Sequence, residues 1–167
     1  MPRIELERCG AGHKPTLDAL FQLYTHDFSE YWAGQARGEV DEQGRYPDYP
    51  GLERFWTDAD REAFLIRVEG HVAGFVLLSA EAHSGVPADH DMTEFFVVRK
   101  HRSAGVGMHV ATRVITERPG LWEIAVTRAN VAALSFWKRV AGQVSPKWEE
   151  HDVNDGRWNG AILRLVV

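Results

Sequence analysis

Apolar and polar residues alternate in the first ordered stretch. In RIELER, Ile4 and Leu6 sit between charged neighbours, the mark of a half-buried strand. Pro15 and Thr16 then open a segment in which Leu17, Leu20, Phe21 and Tyr24 recur at steps of three and four, one face of a helix. From Asp27 to Asp58 the periodicity loosens, and GRYPDYPG is turn chemistry. EAFLIRV and HVAGFVLLSA read as strands joined by a hairpin turn at EGH. After the loop HSGVPADHD, MTEFFVV reads as a third consecutive strand. VGMHVATRVITE predicts a helix with Val106, Val110, Val114 and Ile115 on one face, stopped by Pro119 and Gly120. LWEIAVT predicts a strand, and NVAALSFWKRVAG a helix with Asn130 as N-cap and Gly142 just past its end. QVSPKWEEHD and RWNGAILRLVV predict two strands joined by the tight turn VNDG. This order predicts a mixed sheet flanked by helices, an α/β (α+β) domain.

The 167 residues fit a single domain spanning 1–167, long enough to fold without a disulfide or a structural metal. Cys9 is the sole cysteine, so the chain holds no internal disulfide and no CxxC metal motif. Together with the missing apolar segment near Met1 and the lack of any membrane-length apolar run, this points to the cytoplasm and to no membrane partner. The net charge of −5 argues against general nucleic-acid binding. Against that acidic background the run Arg99, Lys100, His101, Arg102 stands out, placed directly before Gly105 and Gly107.

That run lies where a strand gives way to a helix. Glycines there let backbone N–H groups approach a ligand closely, and the first helical turn offers unpaired donors at the positive end of its dipole. Such a junction suits anionic oxygens, and Arg102 can grip a phosphate bidentately. A charged run is also what an ordinary solvated face contains. The loop is not a Walker motif, since no Gly-Lys-Ser/Thr follows, and the glycine spacing is not the Rossmann one.

The sequence VVRKHRSAGVG resembles the acyl-CoA diphosphate loop of the GNAT acetyltransferase superfamily, a valine-ended strand followed by R/Q-x-x-G-x-G/A. Downstream, Asn130, Ala133, Phe136 and Gly142 match that superfamily's N-x-x-A-x-x-F-Y motif and its following glycine. HDFSEYW, GRYPDYPGLERFW and EFFVVRKHRSAGVG together resemble a bacterial acetyltransferase branch of it. The resemblance implies the GNAT fold: a mostly antiparallel sheet of six or seven strands with about four helices and a splayed central strand pair. It implies acetyl-CoA as acyl donor with no metal, and an amine of a small molecule, peptide or protein as acceptor, with a homodimer allowed for. By resemblance, the backbone amides of Arg102, Ser103, Ala104, Gly105, Val106 and Gly107 would cradle the diphosphate. Phe96, Val97 and Val98 would follow the pantetheine arm, with the Val98 backbone stabilising the oxyanion. Asn130, Phe136 and Trp137 would line the same arm, Asn130 reading equally well as a plain helix cap.

Glu94 is the candidate general base, three residues before Val97 on the strand leading to the oxyanion donors. His83, His90 and Asp91 sit nearby and could act directly or through water. The superfamily's tyrosine proton donor would fall at position 137, where this chain has Trp137. Indole N–H does not deliver a proton at neutral pH. Tyr24, Tyr31, Tyr46 and Tyr49 are the candidate substitutes. Trp137 also admits the alternative of a non-catalytic acyl-CoA-binding sensor or interaction module. The acceptor site, built from residues 16–57 and 80–91, would use Asp27, Glu30, Glu39, Asp41, Glu42 and Asp48 to attract a cationic amine.

Overall fold

The chain, described over residues 2–167 in a computed structural model, forms strands β1 (Ile4–Arg8), β2 (Glu62–Val68), β3 (His71–Ser79), β4 (His90–Val97), β5 (Leu121–Thr127), β6 (Trp148–Asn154) and β7 (Asn159–Val166). Its α-helices are α1 (Lys14–Ser29), α2 (Arg54–Thr57), α3 (Val106–Thr116) and α4 (Val131–Val144). The strands make one seven-stranded sheet in the order β1-β2-β3-β4-β5-β7-β6. Every pairing is antiparallel except β4 with β5. That parallel contact spans only His90 opposite Trp122 and Asp91 opposite Glu123. Beyond it the two strands part, as the expected GNAT fold requires.

Both faces of the sheet are covered, because the central strands are apolar on both sides. Ala63, Leu65, Phe75, Leu77 and Phe96 face α1 and α2, packing with Leu17, Leu20, Phe21 and Phe55. Phe64, Ile66, Val76 and Val97 face the other way, toward Val106, Val110 and Val114 of α3 and Val140 of α4. The β2–β3 turn is tight because Glu69 (φ 50°) and Gly70 (φ 79°) both take left-handed backbone, the pattern that matches strand twist in a two-residue hairpin. No helix of the described residues is long and apolar enough to cross a membrane.

Three details differ from the sequence reading. The loosely patterned segment after Asp27 begins as helix, since α1 continues to Ser29. Gly142 does not end α4; it lies inside the helix, which runs on to Val144 and ends where Ser145 turns extended. The Ser145 hydroxyl, with acceptors in the carbonyls of Lys147 and Val166, holds the chain there. The last hairpin turns at residues 155–158, because Asn154 still pairs with Asn159.

Trp122 is fully buried and pins the joined end of β4 and β5: its indole donates to the Arg118 carbonyl at 2.9 Å, and the His90 ring lies 4.8 Å away. Trp122→Ala should destabilise the fold by about 3–5 kcal/mol, the usual cost of an aromatic-sized core cavity. Urea unfolding followed by circular dichroism checks this.

Candidate active site

The parting of β4 and β5 opens a cleft with three adjoining chambers of about 640, 510 and 590 Å³. The first runs from the β4–α3 loop along β4, lined by Phe95, Phe96, Val97, Arg102, Ser103, Gly105, Gly107, Asn130, Phe136 and Trp137. The second sits in the gap itself, between Tyr24, Phe28 and Trp32 on one side and Trp158 on the other. The third lies beyond it, under Tyr49, Phe55 and Arg61. Glu94 and His83 line both the second and the third.

At the mouth of the first chamber the loop has the form an anion site needs. Ser103 (φ 62°) and Gly105 (φ 79°) take left-handed backbone, which turns successive amides outward. Among the described residues, the amides of Ser103, Ala104, Gly105, Val106 and Gly107 donate to no group of the chain. Arg102 departs from expectation, because its amide closes a turn on the Arg99 carbonyl at 3.1 Å and is not free. Its side chain serves the site instead. Nε donates to the Val97 carbonyl at 2.7 Å, Nη2 pairs with Asp27, and the guanidinium lies over the Phe96 ring. Arg99 also pairs with Asp27, at 2.8 Å. These arginines hold the Asp27 carboxyl below its usual range against the opposing effect of burial. Lys138 points elsewhere, to Glu150 at 2.6 Å, whereas Arg139 lines the chamber.

Along β4 the assignments move by one residue. The Val98 amide donates to the Ala73 carbonyl of the β3 side at 2.8 Å, so it is not open to an oxyanion. Strand alternation then turns the main chain of Phe95 and Val97 toward the gap left by β5. Phe95 went unnoticed in the sequence, yet its ring packs on Phe136 and Trp137 at 5.9 and 5.2 Å and forms the wall between the first two chambers. Trp137 is buried and completes that wall. Asn130 caps α4 by accepting from the Ala133 amide at 3.0 Å, and the same residue lines both chambers.

Glu94 occupies the turning point of the cleft. The register slips between Leu77 and Leu78, which pair with Glu94 and Met92, so Thr93 is an extra residue that re-aims its neighbour. The Tyr24 hydroxyl of α1 donates to Glu94 Oε2. Burial pushes the Glu94 carboxyl up to about 7; the Tyr24 and Tyr49 hydroxyls oppose that rise, and the charge of Asp91 adds to it. Burial likewise raises the Tyr24 phenol well above its ordinary value, with the Glu94 charge adding to it. Of the other tyrosines, Tyr31 lines the first chamber and Tyr46 contacts Gln22 and His26 away from the cleft.

His83 and Asp91 form a second polar pair, Nδ1 to Oδ1 at 3.7 Å, and neither atom has a closer partner. Asp91 raises the His83 imidazole above its ordinary value. With Glu123 they present ligand atoms within 4.8 Å of one another, the group best placed to hold a cation. The Glu123 charge, however, is already met by Arg164 at 2.7 Å and its oxygens by Ser84. His90 serves structure, lying 3.2 Å from the Pro119 carbonyl and against Trp122. The Cys9 thiol, pushed up to about 11 by burial, is no nucleophile.

The acids expected at the acceptor side are not there. Asp27 and Glu30 line the first chamber, while Glu39, Asp41, Glu42 and Asp48 are exposed and line none of the three. Arg37 and Trp158 line the second chamber instead. Neither was singled out from sequence: one sits in an irregular segment, the other arrives from the distant β6–β7 turn.

The family model described as Acetyltransferase (GNAT) family matches residues 17–142, well over half of the chain. The protein belongs to the GNAT acetyltransferase family. No curated protein matches it in sequence. Among solved structures, an acetyltransferase from Thermus thermophilus is similar over 100% of both chains, at 17% identity and a TM-score of 0.66. The PaiA N-acetyltransferase of Thermoplasma acidophilum, in complex with coenzyme A, is similar over 99% of both at 13% identity and a TM-score of 0.62. An aminoglycoside acetyltransferase from an uncultured soil metagenomic sample, in complex with sisomicin, is 16% identical with a TM-score of 0.61, over 91% of this chain and 93% of its own. At these identities the likeness establishes the fold.

Tyr24→Phe removes a hydrogen bond that favours ionised Glu94, so the Glu94 pKa should climb above its value near 7. A carbon-13 carboxyl titration of the GNAT protein and its variant reads the shift; an unchanged or lower midpoint would contradict the assignment.

Proposed function

We propose that this GNAT acetyltransferase moves an acetyl group from acetyl-CoA to a primary amine by direct attack on the thioester. The observation that carries the reading is a carboxyl group with its proton near neutrality, hydrogen-bonded to a tyrosine, at the turning point of a cleft whose other end presents free backbone amides. The coenzyme A held by the Thermoplasma neighbour and the acetyl group in the family description support acetyl-CoA as donor. The aminoglycoside bound by the metagenomic neighbour supports an amine as acceptor.

In this reading the amides from Ser103 to Gly107 and the Arg102 guanidinium hold the linked phosphates. Arg99 and Arg102 share their charge between phosphate and Asp27. The Val97 amide, facing the gap, donates to the thioester oxygen as negative charge develops there. Ionised Glu94 takes, directly or through water, the proton that the neutral amine nitrogen loses as it attacks the thioester carbon. As the carbon–sulfur bond breaks, Tyr24 gives its hydroxyl proton to the leaving sulfur and regains one from protonated Glu94. One proton thus passes from amine nitrogen to thiol, and the pair returns to its starting state. Tyr24 supplies what Trp137 cannot, which removes the main motive for a non-catalytic sensor.

Gly105→Glu should weaken coenzyme A binding at least about 100-fold by calorimetry, since it sets negative charge against the phosphates, at roughly 1.4 kcal/mol per tenfold. Gly105→Ala carries the same backbone strain without the charge and should bind far better than the Glu variant; equal loss in both would remove the electrostatic argument. Glu94→Gln should lower kcat by about 10²–10⁴ while leaving coenzyme A affinity nearly unaltered. In the native protein kcat/KM should rise through about pH 7 as Glu94 ionises, and that limb should be missing from the variant. Superimposable pH profiles would show that Glu94 is not the base.

A further inference from the structure

The second chamber, where the acceptor must approach Glu94, has an unexpected charge pattern. Glu94 is the one carboxylate lining it among the described residues. Two arginines, Arg37 and Arg157, line it as well. Arg157 is committed: its Nε donates to Asp155 at 2.9 Å and its Nη1 to the Ser84 carbonyl at 2.6 Å. Arg37 differs. Among the described residues it has no ion pair and no hydrogen bond from its side chain, and its guanidinium lies over the Trp32 ring, 4.3 Å from the centroid. A stacked guanidinium keeps its edge donors free, in the fork geometry that fits a carboxylate. Its charge reaches the proton line, since Arg37 is among the groups acting on the Tyr24 phenol. Between Arg37 and Glu94 the walls are flat and apolar: Tyr24, Phe28, Trp32 and Trp158.

This chamber is poorly suited to a polycation. Several ammonium groups would find one acid, already hydrogen-bonded to Tyr24, and an uncompensated arginine. A single amine directed at Glu94, with an anionic group directed at Arg37, meets both charges at once. The chamber volume of about 510 Å³ suits a small molecule and lies well within the range of ligand sites.

Resting on the transferase reading above, we propose that the acceptor is an amine that also carries a carboxylate on a flat apolar body, and that Arg37 holds the carboxylate. The acceptor class thus departs from that of the aminoglycoside-bound neighbour.

The test uses matched probes and a binding readout that needs no turnover. Phenylalanine and phenethylamine differ only by the carboxylate, and spermidine serves as the polycation. Each is titrated by saturation-transfer NMR into the full-length protein saturated with coenzyme A. Phenylalanine should bind at least about tenfold tighter than phenethylamine or spermidine. Arg37→Ala should bring the first preference to near unity, Arg37→Lys should keep part of it, and Arg37→Glu should reverse it. Arg37 is exposed on a short turn, so these variants should keep the native circular dichroism and the native coenzyme A affinity. No saturable phenylalanine binding, equal affinity for the matched pair, or a preference that survives in Arg37→Ala would each overturn the inference. The coenzyme A titration separates the two readings. Loss of coenzyme A binding in the native protein would sink the donor site, whereas intact binding with no carboxylate preference sinks only the acceptor class.

Discussion

The divergence of β4 and β5 is the constraint on which the rest of this structure depends. The two strands share only the Asp91–Glu123 and His90–Trp122 pairs, and then their edges separate within one sheet. An unpaired strand edge buried in a protein costs free energy unless something else satisfies its amides and carbonyls. Here one carbonyl, that of Val97, is met by Arg102, and the amides facing the gap are left for a ligand. The same divergence creates the volume of the cleft and fixes its direction. In the proposed reading a thioester arm lying along β4 would complete the sheet as a strand does, making binding and structural completion one event. The apolar layers on both faces keep the gap from closing: α1 and α2 pack on one side, α3 and α4 on the other.

Electrostatics divide the cleft into two ends with different logic. At the end proposed for the phosphates, positive charge gathers on an acidic chain, and Asp27 pairs with both Arg99 and Arg102. The pairing orders long side chains, which in the proposed reading would lower the entropy lost on binding. At the acceptor end the cleft carries one carboxyl and one unpaired guanidinium. Burial makes the carboxyl hesitate between its two charge states, so the field across the chamber is strongest once Glu94 is ionised.

The periodicity of the sequence made most of the fold legible. Alternation and helical spacing placed the strands and the long helices, because both patterns follow from which side of an element meets the core. The left-handed turn of the loop at Gly105 was legible for a related reason: the glycines at 105 and 107 report a backbone conformation, and backbone conformation is local. What failed was set by register and by distance in the chain. Whether Val97 or Val98 faces the gap depends on a pairing with Ala73 that no local pattern encodes. The Arg102 amide was lost to a turn on Arg99. The acidic residues between 39 and 48 had suitable chemistry, yet the irregular segment carries them away from the cleft and leaves the exposed Arg37 lining the second chamber.

Trp137 shows how such a site redistributes a role. A tyrosine at that position would offer a proton from α4, on the β5 side of the gap. The indole instead packs edge-on against Phe95 and Phe136 and closes the wall between donor and acceptor chambers. In the proposed mechanism the proton comes from α1, where Tyr24 already contacts the base. The exchange changes the energetics of the step. A donor on α4, apart from the base, would need its own source for the proton it gives. Tyr24 and Glu94 share a hydrogen bond, so the proton accepted from the amine is the one that restores the phenol. A phenol whose pKa lies well above neutrality is a weak acid while Glu94 is ionised, and becomes a competent relay only once Glu94 holds the amine's proton. Protonation of sulfur is thereby tied to deprotonation of nitrogen, which favours transfer to an amine over loss of the acyl group without one.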